Sequence, residues 1–322
     1  MRLSAIVVAF GKESLLEECV SRLAAAVGRV DGESELIVVL NHVSAVARER
    51  LERRTPLVVT VAGGPELGFA GGVAAGLAVA RGEWIALVND DCALLPDALR
   101  ELLAAGERDP GVGSVAAQIR FAARPDTINS AGIEIDELGV AWERRLGEQA
   151  SACETEPVEV FGASAALALH RRAMLDAIGG LDASFFAYLE DADLAWRARM
   201  AGWRCVLAPR AIALHHHSPT LGHGSNAKHL LVGRNRVRML AKNASRGQLR
   251  RRLLRIVAYD LLYVSYAAAV ARTRAPLTGR LRGLRDWRAD RTAGRPGRRE
   301  IELAPPPGLL AALRRNRVYR SA

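Results

Sequence analysis

Trp84-Ile85-Ala86-Leu87-Val88-Asn89-Asp90-Asp91 is a short apolar run that opens into an amide and two carboxylates. A run of this length ending in polar residues reads as a strand buried on both faces. Acidic side chains at the carboxyl end of such a strand stand where an α/β sheet can hold a divalent cation against a diphosphate. Similar runs occupy residues 3–10, 36–40 and 57–61, and stretches of helical period lie at 14–27, 45–53 and 73–80. The alternation predicts a doubly wound, mostly parallel sheet with right-handed crossovers.

Beyond Pro110 the pattern is mixed. Strands are expected around 113–119 and 158–169, a hairpin or insertion near 126–145, and a helix over 191–201. Glu190 and Asp191 would stand at the start of that helix, where the macrodipole favours ionised carboxylates. His215-His216-His217 follows a further apolar run, and His223 reads as loop. Successive strand residues point to opposite faces, so three adjacent histidines cannot all ligate one ion. Residues 1–241 read as one domain with two halves, and 242–322 as a basic, helical C-terminal region.

The formal charge of +10 is uneven: residues 242–322 carry 20 basic and 5 acidic side chains, the preceding residues 25 and 30. Lys12, Lys228 and Lys242 are the only lysines. Cys19, Cys92, Cys153 and Cys205 lie far apart, which argues against a zinc or disulfide framework and for a reducing cytoplasm. The apolar N-terminus is cut short by Gly11, Lys12 and Glu13, and a buried strand explains it better than a signal peptide.

Leu67-Gly68-Phe69-Ala70-Gly71-Gly72, Asn89-Asp90-Asp91, the run from Phe186 through Glu190-Asp191 to Arg197, and His215-His216-His217 occur in that order. Together they resemble family 2 glycosyltransferases of the rhamnosyltransferase-like branch, over roughly residues 1–241. The resemblance implies a GT-A fold with a Rossmann-like nucleotide-binding half, a nucleotide-sugar donor (dTDP-rhamnose at branch level), Mg²⁺ or Mn²⁺, and inversion at the anomeric carbon. It implies Asp91 with Asp90 or Asn89 as the DxD-type metal element, His215 or His217 as a further ligand, and Asp191, beside Glu190, as the base. Ala9, Phe10, Asn41, Gly68, Gly71, Gly72, Asn89, Asp90 and Arg234 fall on the donor side. Acceptor contacts are expected from Gly162-Ala163-Ser164 and the segment near Trp142, by fold analogy.

The chemistry independently asks for these residue types. A diphosphate leaving group needs cationic stabilisation, and an attacking hydroxyl needs a positioned base. Each motif also has a plainer reading: Asn-Asp-Asp as a solvated turn, Glu190 as helix capping, Asp193 as structural, the glycines as close helix packing, and Arg234-Asn235-Arg236 as a solvated basic helix start. The sequence departs from the family at Leu40, where an aspartate usually precedes the asparagine, and at Val73 and Ala74, where asparagines are common. A catalytically silent sugar-nucleotide-binding scaffold and a nucleotidyltransferase are the rival classes. Gly11-Lys12-Glu13 is a poor phosphate loop for the second.

In the tail, residues 261–271 are uncharged but too few to span a bilayer. A helix lying in the interface with arginines against anionic lipid is expected, peripheral to the inner face of the plasma membrane, where a glycan or glycolipid acceptor would lie. A helix packed on the catalytic domain is the alternative. Residues 291–299 and 305–307 read as linker, and 309–320 as a last basic helix. No specific nucleic-acid motif is present.

Overall fold

The computed structural model describes residues 1–10, 13–55, 58–216, 225–293 and 300–307. Its first half alternates β1 (Leu3–Phe10), α1 (Glu13–Val27), β2 (Ser34–His42), α2 (Ala45–Arg54), β3 (Val58–Ala62), α3 (Gly68–Val79) and β4 (Trp84–Asn89). β3, β2, β1 and β4 lie side by side, all parallel. Successive side chains of β1 enter opposite layers. Leu3, Ala5 and Val7 pack with Leu16, Cys19, Val20 and Leu23 of α1, while Ile6 and Val8 pack with Ala70 and Val73 of α3. Coverage on both faces is why these strands are continuously apolar. α3 lies close to the sheet: a Cβ at Gly72 would stand 2.5 Å from Val8 Cγ1, and one at Gly76 2.6 Å from Ile6 Cγ2.

The second half contains β5 (Cys92–Leu94), α4 (Ala98–Glu107), β6 (Val112–Phe121), β7 (Arg124–Ser130), β8 (Ile133–Ile135), β9 (Ala141–Glu143), β10 (Val158–Val160), β11 (Leu167–Arg171), α5 (Arg172–Ile178), α6 (Glu190–Met200) and β12 (Arg204–His215). β11 inserts antiparallel between β4 and β6. β12 runs parallel to β6, and β5 and β10 pair antiparallel with β12. The hairpin expected within 126–145 is β8–β9. The single strand expected over 158–169 is two, because β10 belongs beside β12 and β11 beside β4; residues 161–166 make the crossing between them.

α7 (Asn226–Asn243), α8 (Arg246–Ala269) and α9 (Ala275–Ala293) complete the described chain. A boundary at 241 falls inside α7. Met239, Leu240, Ala244 and Ile256 share a core with Ile133, Ile135 and Phe185, so α8 and α9 are packed into the second half instead of trailing from it. Gly279 and Gly283 bring α9 onto the α7 backbone: a Cβ at Gly279 would collide with Leu230 O, and one at Gly283 would stand 2.7 Å from Arg234 O. Arg238 and Asp290 close the same contact at 2.7 Å. Among the described residues, no helix is long and apolar enough to cross a membrane. The basic helix expected at 309–320 lies outside the described residues, as do Leu57 and residues 294–299.

Candidate active site

Two pairings position the acidic turn. Asn89, last residue of β4, donates its backbone N–H to Ala166 O at 3.1 Å. The chain then reverses into β5, whose Cys92 lies opposite His215 of β12. Asp91, one residue earlier, therefore meets that histidine: His215 Nε2 is 3.1 Å from Asp91 Oδ1, and His215 Nδ1 is 2.9 Å from Asn129 Oδ1. With Nδ1–H donated to Asn129, the Nε2 lone pair faces a carboxylate oxygen, and a shared proton or cation satisfies that arrangement. One carboxylate and one imidazole fit a divalent ion that completes its shell with diphosphate oxygens and water. Among the described residues no group of three or more His, Cys, Asp or Glu side chains forms a larger candidate metal cluster.

The neighbouring candidates point elsewhere. Asp90 Oδ2 accepts the Phe10 backbone N–H at 2.6 Å, tying the turn to the end of β1, where Ala9 is fully buried. Burial pushes the Asp90 carboxyl up to about 6. His216 is exposed, 3.6 Å from Glu18, and its N–H donates to Asp91 O. The alternation expected along a strand thus separates His215 from His216, while His217 and His223 lie outside the described residues.

Residues 164–166 connect this end of the site to the second acidic cluster. Ala165 N–H donates to Asp191 Oδ2 at 3.2 Å, and Ser164 Oγ to Glu143 Oε1 at 3.2 Å. Three consecutive residues therefore touch the acidic turn, Asp191 and Glu143. Asp191 also accepts the Ala192 N–H at 2.7 Å, as the first turn of α6 allows. Burial raises the carboxyls of both Glu190 and Asp191. Among the described residues Glu190 Oε2 and Glu143 Oε2 are buried without a hydrogen-bond partner, whereas Asp191 holds two amide donors and is the better placed to carry charge. Asp193 is structural: it is fully buried against Arg197 at 2.7 Å and Asn243 at 2.8 Å.

Glu143 is the residue sequence reasoning missed. It sits on a three-residue strand with no motif around it, and only the proximity of Trp142 to the expected acceptor segment hinted at it. Burial first and the neighbouring Asp191 charge second push its carboxyl up to about 7. Lys228 of α7 is electrostatically coupled to Glu143, and its ammonium lies over the Tyr188 ring at 5.3 Å. Glu143→Gln is expected to stabilise the protein above pH 7 and to leave it unchanged below pH 4.5. Between those values the folded state keeps a proton that the unfolded chain has released. Stability from this group is thus complete at the acid end and lost as pH rises, by on the order of 3 kcal/mol. Thermal melts at both pH extremes check this; an equal shift at both would mean the carboxyl's ionisation is not responsible.

Arg234 requires a correction. It lies in the middle of α7, not at a helix start, and its guanidinium donates to Ser184 O and Phe185 O, the latter at 3.1 Å. Asn235, fully buried, donates Nδ2 among the carbonyls of Phe185, Ala187 and Tyr188 at 2.8–2.9 Å. The pair clamps a turn in which Phe186, Tyr188 and Leu189 all have φ between 67° and 70°, and this turn delivers Glu190 and Asp191. Ala70 N–H, in the first turn of α3, donates to Phe186 O at 3.0 Å, and Gly68, at φ 60°, leaves room for that carbonyl. Gly72 faces Val8 and Asn41, and the Cβ direction of Gly71 meets Leu67. At the carboxyl end of β1, a bulge where it meets β2 displaces Asn41 from register. Its Nδ2 donates to Gly68 O at 2.8 Å, while its buried Oδ1 accepts from none of the described residues. Leu40 packs on the α1 layer.

A sheet with this strand order, an acidic turn at the carboxyl end of β4 and a second acidic cluster opening α6 is that of the GT-A glycosyltransferases. Two solved structures share the fold. GalNAc-T7 with UDP, GalNAc and Mn²⁺ aligns with a TM-score of 0.62 at 14% identity, covering 91% of this chain and 54% of that one. A mannosyltransferase from Pyrobaculum calidifontis in complex with GDP-Man and Mn²⁺ aligns with a TM-score of 0.53 at 19% identity, covering 90% and 83%. The chain belongs to glycosyltransferase-like family 2, whose model matches residues 2–230. Among curated relatives, an uncharacterized protein y4gI of Sinorhizobium fredii is 39% identical over 157 residues, 46% of this chain and 17% of that one. An N-acetylglucosaminyl-diphospho-decaprenol L-rhamnosyltransferase of Mycobacterium tuberculosis is 32% identical over 151 residues, 44% of this chain and 49% of that one. The matches thus span half or less of the relatives' lengths.

Proposed function

We propose that this chain is an inverting, metal-dependent glycosyltransferase that moves a sugar from a nucleoside-diphosphate donor, dTDP-rhamnose, to a lipid-linked or cell-envelope glycan at the inner face of the plasma membrane. The observation that carries this reading is the strip 164–166, which holds Asn89, two residues before the Asp91–His215 pair, and contacts both Asp191 and Glu143. The rhamnose donor rests on the likeness to the mycobacterial rhamnosyltransferase.

Asp91 and His215 would hold Mg²⁺ or Mn²⁺, which when bound neutralises charge on the departing diphosphate. Asp191 takes the proton of the acceptor hydroxyl. The acceptor oxygen forms its bond to the anomeric carbon as the carbon–phosphate oxygen bond breaks on the opposite side, which inverts the centre and releases the nucleoside diphosphate. A single base suffices, and no covalent intermediate is required. Ala165 N–H and Ala192 N–H orient the Asp191 carboxylate, and Asp90 fixes the acidic turn against the end of β1.

Calorimetric titration with UDP, dTDP and GDP, each with and without Mn²⁺, tests the reading. Metal-dependent binding of dTDP is expected. Binding of UDP or GDP in its place would keep the transferase and overturn the rhamnose donor. Binding of none would overturn the donor site, with Leu40, where the family's aspartate is missing, the first position to revert; metal-dependent binding without transfer to any acceptor would favour the silent scaffold.

A further inference from the structure

We propose that the outer face of α8 is a docking surface for an anionic lipid bilayer. The purpose of such docking rests on the membrane-bound acceptor proposed above, but the argument for the face comes from α8 itself. A helix packed on a globular body turns its apolar stripe inward, and α8 leaves most of its leucines outside and turns Asp260 inward. Beneath it, Asp260 Oδ1 accepts from Arg236 Nη1 and Arg280 Nε, both at 2.6 Å, and of its residues only Ile256 and Ala267 are buried. Outside, Leu254, Leu262, Leu261 and Leu253 are 85%, 72%, 64% and 55% exposed. Leu254, Val257, Leu261, Ser265 and Ala268 recur at helical spacing on that outer side, and Arg250 stands in line with them one turn earlier.

Charge selects the occupant. Exposed Arg250, Arg251 and Arg255 stand at one end of the apolar row, and exposed Arg272 and Arg274 lie just past the other. Arg251 pairs with Glu300, and Arg255 lies 3.5 Å from Glu137. From residue 246 to 293, Asp286 is the one exposed acid among the described residues. A second copy of this chain would bring the same arginines against themselves. An anionic bilayer answers both features, with phosphate for the guanidinium groups and acyl chains for the leucines. At 24 residues, about 36 Å of helix, α8 would lie in the interface.

The test uses the full chain and sedimentation with vesicles of phosphatidylcholine alone or mixed with phosphatidylglycerol. Native protein is expected to sediment with the mixed vesicles only. Leu254→Asp with Leu261→Asp, or Arg250→Glu with Arg274→Glu, should lower the bound fraction about tenfold while leaving the melting temperature in place. Equal binding by these variants, or equal binding to phosphatidylcholine alone, would overturn the proposal. So would a native dimer that Leu254→Asp dissociates, which would give the face to a second copy. Nucleotide titration of the same samples separates the two readings: lost docking with intact dTDP binding indicts the face, and intact docking with no nucleotide binding indicts the transferase.

Discussion

Asp191→Asn is expected to bind dTDP and Mn²⁺ as the native protein does and to transfer sugar about 10²–10⁴-fold more slowly. Asparagine is close to aspartate in size and keeps one acceptor oxygen, so it retains one of the two amide contacts, Ala165 N–H or Ala192 N–H, and gives up the other. What disappears is the capacity to take a proton. Single-turnover transfer measured beside nucleotide calorimetry separates the two effects. Transfer at the native rate would remove Asp191 from the role of base and leave Glu143, the carboxylate held beside it through Ser164, as the group to replace next.

Asp91→Ala and His215→Ala should act on the other side of that separation. Each is expected to abolish the metal-dependent part of nucleotide binding, lowering Mn²⁺ affinity by more than about 100-fold. Asn129→Ala, which removes only the partner that orients the imidazole, should cost about 10–100-fold. The grading is the informative part. A structural hydrogen bond would give altered stability and unaltered Mn²⁺ titration in all three variants, and that result would discard the metal assignment.

The nucleotide half was legible because its strands are covered on both faces, and continuous apolar runs between helical periods have few other readings. β1 matches its expected bounds, and the acidic turn and the start of α6 fall where the sequence puts them. The second half was less legible, since its strands are short and pair out of order. Nothing local in residues 158–169 says that β10 joins β12 while β11 joins β4. The meeting of Asp91 with His215 depends on a three-residue strand, β5, that carries no signal of its own. Glu143 and Asn235 were unreadable for a related reason: their roles lie in what they touch across the fold. An amide inside a basic helix looks like any solvated residue until the turn it holds is seen.

That turn has a practical consequence. Non-glycine residues in left-handed backbone cost about 1–3 kcal/mol each, so the stretch around Tyr188 needs support from outside itself. Asn235 supplies it, and α7 is in turn braced by α9 through Gly279 and Gly283. The carboxylates of Glu190 and Asp191, the second of them proposed above as the base, are in effect surveyed from the far end of the chain. Trimming the tail to obtain a minimal enzyme for expression would take away the datum along with the ballast. In a mutational scan, the two tail glycines would score like active-site residues although they never approach a sugar.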